Sequence, residues 1–249
     1  MKKKLEICCY SIDSAIKAEK AGADRIELCD NYSEGGTTPS YAAIEYSVNK
    51  LNIPVNIIVR PRGGDFLYSS AEYELIKNDV LKIKELEANG VVIGFLKKNG
   101  EIDIERTKEI VNLAKPMQVT FHRAFDMCKN QHKALQQLID VGVDRILTSG
   151  AENTALKGID LLKELVEKAD NRIVVMPGCG VDEKNLKKLV LKTKAGEFHS
   201  SAKEFEKSKM GYFNKNISMG GNDNVDEFQK VSVNANKIKL MLKILKNTK

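Results

Sequence analysis

Tryptophan is absent from the 249 residues, and 8 Phe and 7 Tyr supply all the aromatic surface. The basic residues are scattered rather than gathered into a stripe interleaved with aromatics, so no nucleic-acid partner is expected. No apolar run approaches the roughly 18 residues needed to cross a bilayer, which removes a membrane partner from the expectations. The basic opening MKKKLEICCYS has no apolar stretch behind it, because Glu6 interrupts, so a secretory signal is not expected. Cysteine is sparse and odd in number: Cys8, Cys9, Cys29, Cys128 and Cys179 form no compact framework, which points to free thiols in a reducing cytoplasm. Arginine is scarce beside lysine, and the net charge of +6 reads as a solvated lysine surface.

Against these absences stands a repetition. Short β-branched runs at 4–9, 24–29, 54–60, 90–96, 117–122, 144–149, 172–176 and 195–200 alternate with helical patterns at 11–22, 40–51, 71–89, 104–115, 131–141, 157–169 and 182–193, with a last helix at 226–246. Ser11, Ser40 and Asp182 offer cap signals, and Gly22, Gly90 and Gly142 offer helix stops. Strict alternation with short joins makes the strands parallel, and eight of them close a TIM (β/α)8 barrel; an open doubly wound sheet usually has fewer. The expectation is one domain over 1–249, with the barrel at 4–203 and a loop and terminal helix at 204–249. The stretch from 203 to 226 is too long for a barrel join and reads as a loop over the mouth. The apolar stripe of ANKIKLMLKIL can pack on the barrel or on a second subunit, so a homodimer is expected.

Within each strand the apolar set faces the helices and the other set fills the interior. Glu6 and Cys8, Arg25, Glu27 and Cys29, Asn56 and Arg60, Gln118, Thr120 and His122, and Glu197 and His199 all point inward by this rule. Burying so many polar groups is costly unless they pair with one another or with a ligand. A site and an interior salt-bridge lattice both meet that demand, and the lattice suits Arg25, Arg145 and Arg172, which sit where strands begin. Arg60, Arg62 and Arg123 fall at or just past strand C-termini, where a planar fork suits a small anion. In FHRAFD, His122, Arg123 and Asp126 place an imidazole, a guanidinium and a carboxylate on one strand end, a set suited to proton transfer. PGCG and HSSAK, with Gly178, Gly180, His199, Ser200 and Ser201, resemble in placement the phosphate pocket of many such barrels, and Ser149 of LTSG joins them. Cys8 and Cys29 each lie two residues past an inward glutamate on neighbouring strands, and soft thiolates select Cu(I).

LEICCYS (5–11), ADRIELC (23–29), EGGTTPS (34–40), RPRGGDF (60–66), FHRAFDMC (121–128), LTSG (147–150) and FHSSA (198–202) together resemble the CutC family of copper-homeostasis proteins, with a weaker echo around 218–220. The resemblance implies a cytoplasmic TIM barrel that handles Cu(I), with a site made of Glu6, Cys8, Glu27, Cys29, Arg60, Arg62, His122, Arg123, Asp126 and His199. PGCG departs from the family pattern at Cys179, so no metal site is built there. Two readings stay open. One is a copper carrier or buffer using Cys8 and Cys29, with Cys128 as a further candidate. The other is an isomerase, lyase or hydrolase acting on a small phosphorylated or carboxylated substrate, in which His122 moves a proton with Glu6 or Glu27 as its partner.

Overall fold

The computed structural model describes residues 2–214, 216–217 and 226–248. Eight parallel strands form the expected barrel: β1 (Lys4–Cys9), β2 (Arg25–Leu28), β3 (Val55–Ile58), β4 (Gly90–Ile93), β5 (Gln118–Phe121), β6 (Arg145–Thr148), β7 (Val174–Pro177) and β8 (Glu197–Ser200). Ladders run continuously from β7 through β1 to β8. β7 and β8 lie side by side without a ladder, so the barrel is nearly closed, with one seam.

Helices α1 (Ile12–Ala21), α2 (Tyr41–Lys50), α3 (Ser70–Glu85), α4 (Ile104–Ala114), α5 (Gln131–Asp140), α6 (Ile159–Ala169) and α7 (Leu186–Thr193) return the chain between strands. Their starts follow from local chemistry. Ser11 and Ser40 accept the amides of Ser14 and Ala43, and Ser69 with Glu72 forms a reciprocal capping box on α3. Gly22 ends α1 in the left-handed region at φ 94°, where a Cβ is disfavoured. Gly90 is not a helix stop: it opens β4, where an added Cβ would lie 2.6 Å from Asn56 Oδ1 inside the barrel. Asp182 does not cap α7 directly but folds the preceding turn, accepting from the amides of Lys184 and Asn185.

The main core lies between strands and helices, where Leu5, Ile7, Ile26, Ile57, Val91, Phe121 and Phe198 are all buried. Cys9 belongs to this outer layer, as does Cys128, which places Cys128 away from the barrel interior. Inside, Cys8, Cys29, Ile58 and Val92 form a separate small cluster with Tyr10 against it.

The segment after β8 differs from expectation. Residues Lys203–Lys207 form β9, which pairs antiparallel with β10 (Gln229–Val233), and the terminal helix α8 begins only at Ala235 and runs to Asn247. QKVSV carries a two-residue alternation, which suits a strand better than the start of a helix. The hairpin is tied to α1 by Lys17, which hydrogen-bonds Glu204, Glu206 and Ser232, and to the rim by Lys203 Nζ on Tyr32 Oη at 2.6 Å. The 203–226 loop is thus replaced at its start by a strand, and the echo at 218–220 lies outside the described residues. α8 turns Ile238, Met241 and Leu245 into the core beside α1 and α7, so these residues of its stripe pack on the barrel. Among the described residues no helix is long and apolar enough to cross a membrane.

Candidate functional site

The inward polar residues divide into two layers. At the base of the barrel Arg25 donates through Nε to Glu6 and through Nη2 to Glu197 at 2.7 Å, while Arg145 Nε donates to the same Glu197 oxygen at 2.6 Å. Asn56 adds a hydrogen bond to Glu6, and Thr120 accepts from Arg145. This is the salt-bridge lattice, built from buried partners that neutralise one another. Burial pushes the Glu6 carboxyl up, but Arg25 and His199 outweigh it and hold it well below the usual carboxylate range. Arg172 stands apart, donating to the carbonyls of Lys168 and Ala169 at the end of α6.

Above the lattice the strand ends open into a cavity of about 430 Å³, lined by Cys8, Tyr10, Glu27, Tyr32, Glu34, Arg60, Phe66, His122, Arg123, Leu147, Cys179, Gly180, His199, Ser200, Ser201 and Lys203. His199 links the two layers: its Nδ1 lies 2.8 Å from Glu6 Oε1 and its Nε2 lies 3.7 Å from Glu27. Burial opposes its charge, yet hydrogen bonds with Cys8 and Glu6 hold the imidazolium well above the ordinary histidine value. Cys8 and Glu27 line the cavity with Cys29 buried beside them: Cys8 Sγ lies 3.6 Å from Cys29 Sγ, which lies 3.5 Å from Glu27 Oε2. One donor atom from each of Cys8, Glu27 and Cys29 falls within 4.8 Å of the others, and all three side chains are buried. The hydrogen bond from Cys29, helped by His199, draws the Cys8 thiol well below its usual value; burial pushes Cys29 and Glu27 the other way.

Other sequence-derived candidates have different employment. Arg60 spends Nη1 and Nη2 on the carbonyls of Glu34, Gly36 and Gly64, binding two loops together at the cavity wall. Arg62 lies outside the cavity lining and organises its own loop through Glu72, Asp65 and the carbonyls of Gly63 and Leu67. Asp126 accepts from Arg123, Thr148, Ser149 and Ala151, so it fixes the loop after β6 and does not meet His122. Ser149 serves in that same loop. Ser200 donates to the carbonyl of Val181 across the seam, whereas the amides of Cys179, Gly180 and Ser201 have no partner among the described residues. Cys179 and Gly180 sit consecutively at φ 70° and 71°, and a Cβ at Gly178 would overlap Leu147. Sequence reasoning missed Tyr10, Tyr32, Phe66 and Lys203; they arrive from loops and from β9, where no periodicity marks them.

His122 is buried at 5% exposure. Its Nδ1 accepts the amide of Ala124 at 3.1 Å, and Nε2 has no partner. Burial, with Arg60 nearby, pulls its value down to about 3.

Comparisons with known proteins place the chain in a family. The CutC family model covers residues 3–204. A CutC family protein from Parabacteroides distasonis is 48% identical over 96% of this chain and 99% of that protein, and the human copper homeostasis protein cutC homolog is 42% identical over 98% of this chain and 89% of that protein. The crystal structure of CutC from Streptococcus agalactiae superposes with a TM-score of 0.76 at 34% identity, covering 80% of this chain and 98% of that one. Phosphoribosylanthranilate isomerase from Thermotoga maritima, at TM-score 0.58 and 11% identity over 98% of both chains, shares the fold alone.

Proposed function

The chain belongs to the CutC family, and on that premise we propose that it binds Cu(I) in the cytosol, holding the ion as cargo between the thiols of Cys8 and Cys29. The observation that carries this reading is the 3.6 Å approach of two buried sulfur atoms, one of them in the cavity lining. The donor set suits the ion: thiols are soft ligands that select Cu(I), and a low coordination number lets two of them suffice. Glu27 is a hard oxygen donor whose buried carboxyl favours its neutral form, so it contributes enclosure rather than a required bond. Five cysteines without a disulfide fit a reducing compartment, which supports the cytosolic location. Titrating Cu(I) against the wild type and a Cys8→Ser, Cys29→Ser variant tests the proposal: the variant should lose the tight site, and equal affinity would contradict it.

A second reading, an enzyme acting on a small phosphorylated or carboxylated substrate, is supported by a different observation. The unpartnered Nε2 of His122 and the unpartnered amides at the β7–β8 seam belong to residues lining one cavity of ligand size. Thermal stabilisation by phosphorylated sugars or carboxylates would support this reading, and unchanged melting across such a set would count against it.

A further inference from the structure

We infer that His122 meets the ligand of this cavity as a neutral Nε2–H hydrogen-bond donor, and that the ligand is a small phosphorylated carbonyl compound whose carbonyl oxygen accepts from it. The inference rests on the enzyme reading and changes the part that His122 plays there, from a base to a donor.

The tautomer is fixed by the backbone. A backbone amide can only donate, so the Ala124 N–H that reaches Nδ1 at 3.1 Å requires a lone pair there. The ring proton of a neutral imidazole then resides on Nε2. That nitrogen is buried and has no acceptor among the described residues, an unfavourable state unless something else supplies an acceptor. The ring cannot readily rotate to find one. Phe66 packs on it with ring centroids 4.8 Å apart, and the backbone just past β4 approaches so closely that a Cβ on Gly94 would overlap the imidazole. Arg60 is the charged group that bears on the ring, and it discourages a second proton as burial does. A ring so held is a poor acceptor of protons and a preorganised donor, the property needed to polarise a carbonyl or stabilise the oxyanion derived from it.

The rest of the ligand follows from another part of the lining. The amides of Cys179, Gly180 and Ser201, free among the described residues, belong to the loops that follow β7 and β8, where consecutive left-handed residues turn the backbone, and Lys203 joins the same lining. Such a group of N–H donors with a cation suits a phosphate. A cavity of about 430 Å³ takes a molecule of a few carbons bearing both groups.

The chain has 3 histidines, so ¹⁵N-histidine labelling gives a spectrum simple enough to assign with His122→Phe and His132→Gln variants. In the free protein His122 should show the Nε2–H tautomer unchanged from about pH 8 to about pH 5, a span that brackets the ordinary value of roughly 6.5. An Nδ1–H tautomer, or titration within that span, would overturn the inference. Two probes follow in uniformly ¹⁵N-labelled protein, inorganic phosphate and dihydroxyacetone phosphate, each to about 10 mM, enough to reveal millimolar binding. Both should move the amides of Cys179, Gly180 and Ser201, and only the carbonyl compound should shift the His122 Nε2–H resonance. Seam amides that respond while His122 stays silent would defeat the donor role alone. Seam amides that respond to neither probe would defeat the anion-site reading beneath it.

Discussion

Gly94 shows how one missing side chain decides the geometry of this site. The Cβ of an alanine there would lie 2.8 Å from the Ala124 Cβ and 2.3 Å from His122 Cε1, so the imidazole or the backbone must shift. Gly94→Ala should destabilise the protein by about 1–3 kcal/mol in urea unfolding, as overpacking of a full interior does. Glu197 carries a different prediction. Burial raises its carboxyl, but the hydrogen bond and charge of Arg145, with Arg25, lower it on balance. The stability it contributes is therefore present above the unfolded carboxyl value of about 4.3 and lost as pH falls through its folded value. Stability measured on descending from neutral pH into the acid range should fall less steeply in Glu197→Gln than in the wild type, and equal slopes would remove Glu197 from the lattice. At this scale strand alternation made Glu6, Cys8, Glu27, Cys29 and His199 legible, because a period of two leaves each only one face. Arg60, Arg62 and Asp126 were legible as polar residues near the mouth but not in their employment. Long or branched side chains on loops go where loop carbonyls and amides direct them, and no pattern in the sequence records that direction.

Among the elements, α3 depends most visibly on its own first turn. Ser69 accepts from the Glu72 amide while Glu72 accepts from the Ser69 amide at 2.7 Å. Ser69→Ala should cost about 1 kcal/mol, seen as a lowered midpoint in denaturant with an unchanged slope. Caps of this kind, with the eightfold recurrence of strand and helix, made the barrel readable. The β9–β10 hairpin was not. β9 carries Lys and Glu around one exposed Phe205, and the alternation of QKVSV rests on Val231 and Val233 alone, so the signal that reveals a strand is absent from one partner and too short in the other.

Across the whole molecule, one barrel serves two purposes along its axis. The base is closed by Glu6, Arg25, Arg145 and Glu197, which satisfy one another, and the mouth holds groups left without partners. The loops after β7 and β8 belong to the second purpose, since the amides of Cys179, Gly180 and Ser201 there have no partner among the described residues. His199 joins the halves, touching Glu6 below and Cys8 above, so the thiol pair rests on the rigid lattice rather than on a loop. Copper K-edge absorption on the Cu(I)-loaded protein tests the thiol pair most directly. Sulfur ligation should persist when Cys9, Cys128 and Cys179 are all replaced by serine, and should vanish in the Cys8→Ser, Cys29→Ser variant. Sulfur ligation lost in the first variant, or retained in the second, would contradict Cu(I) capture at the floor of the barrel.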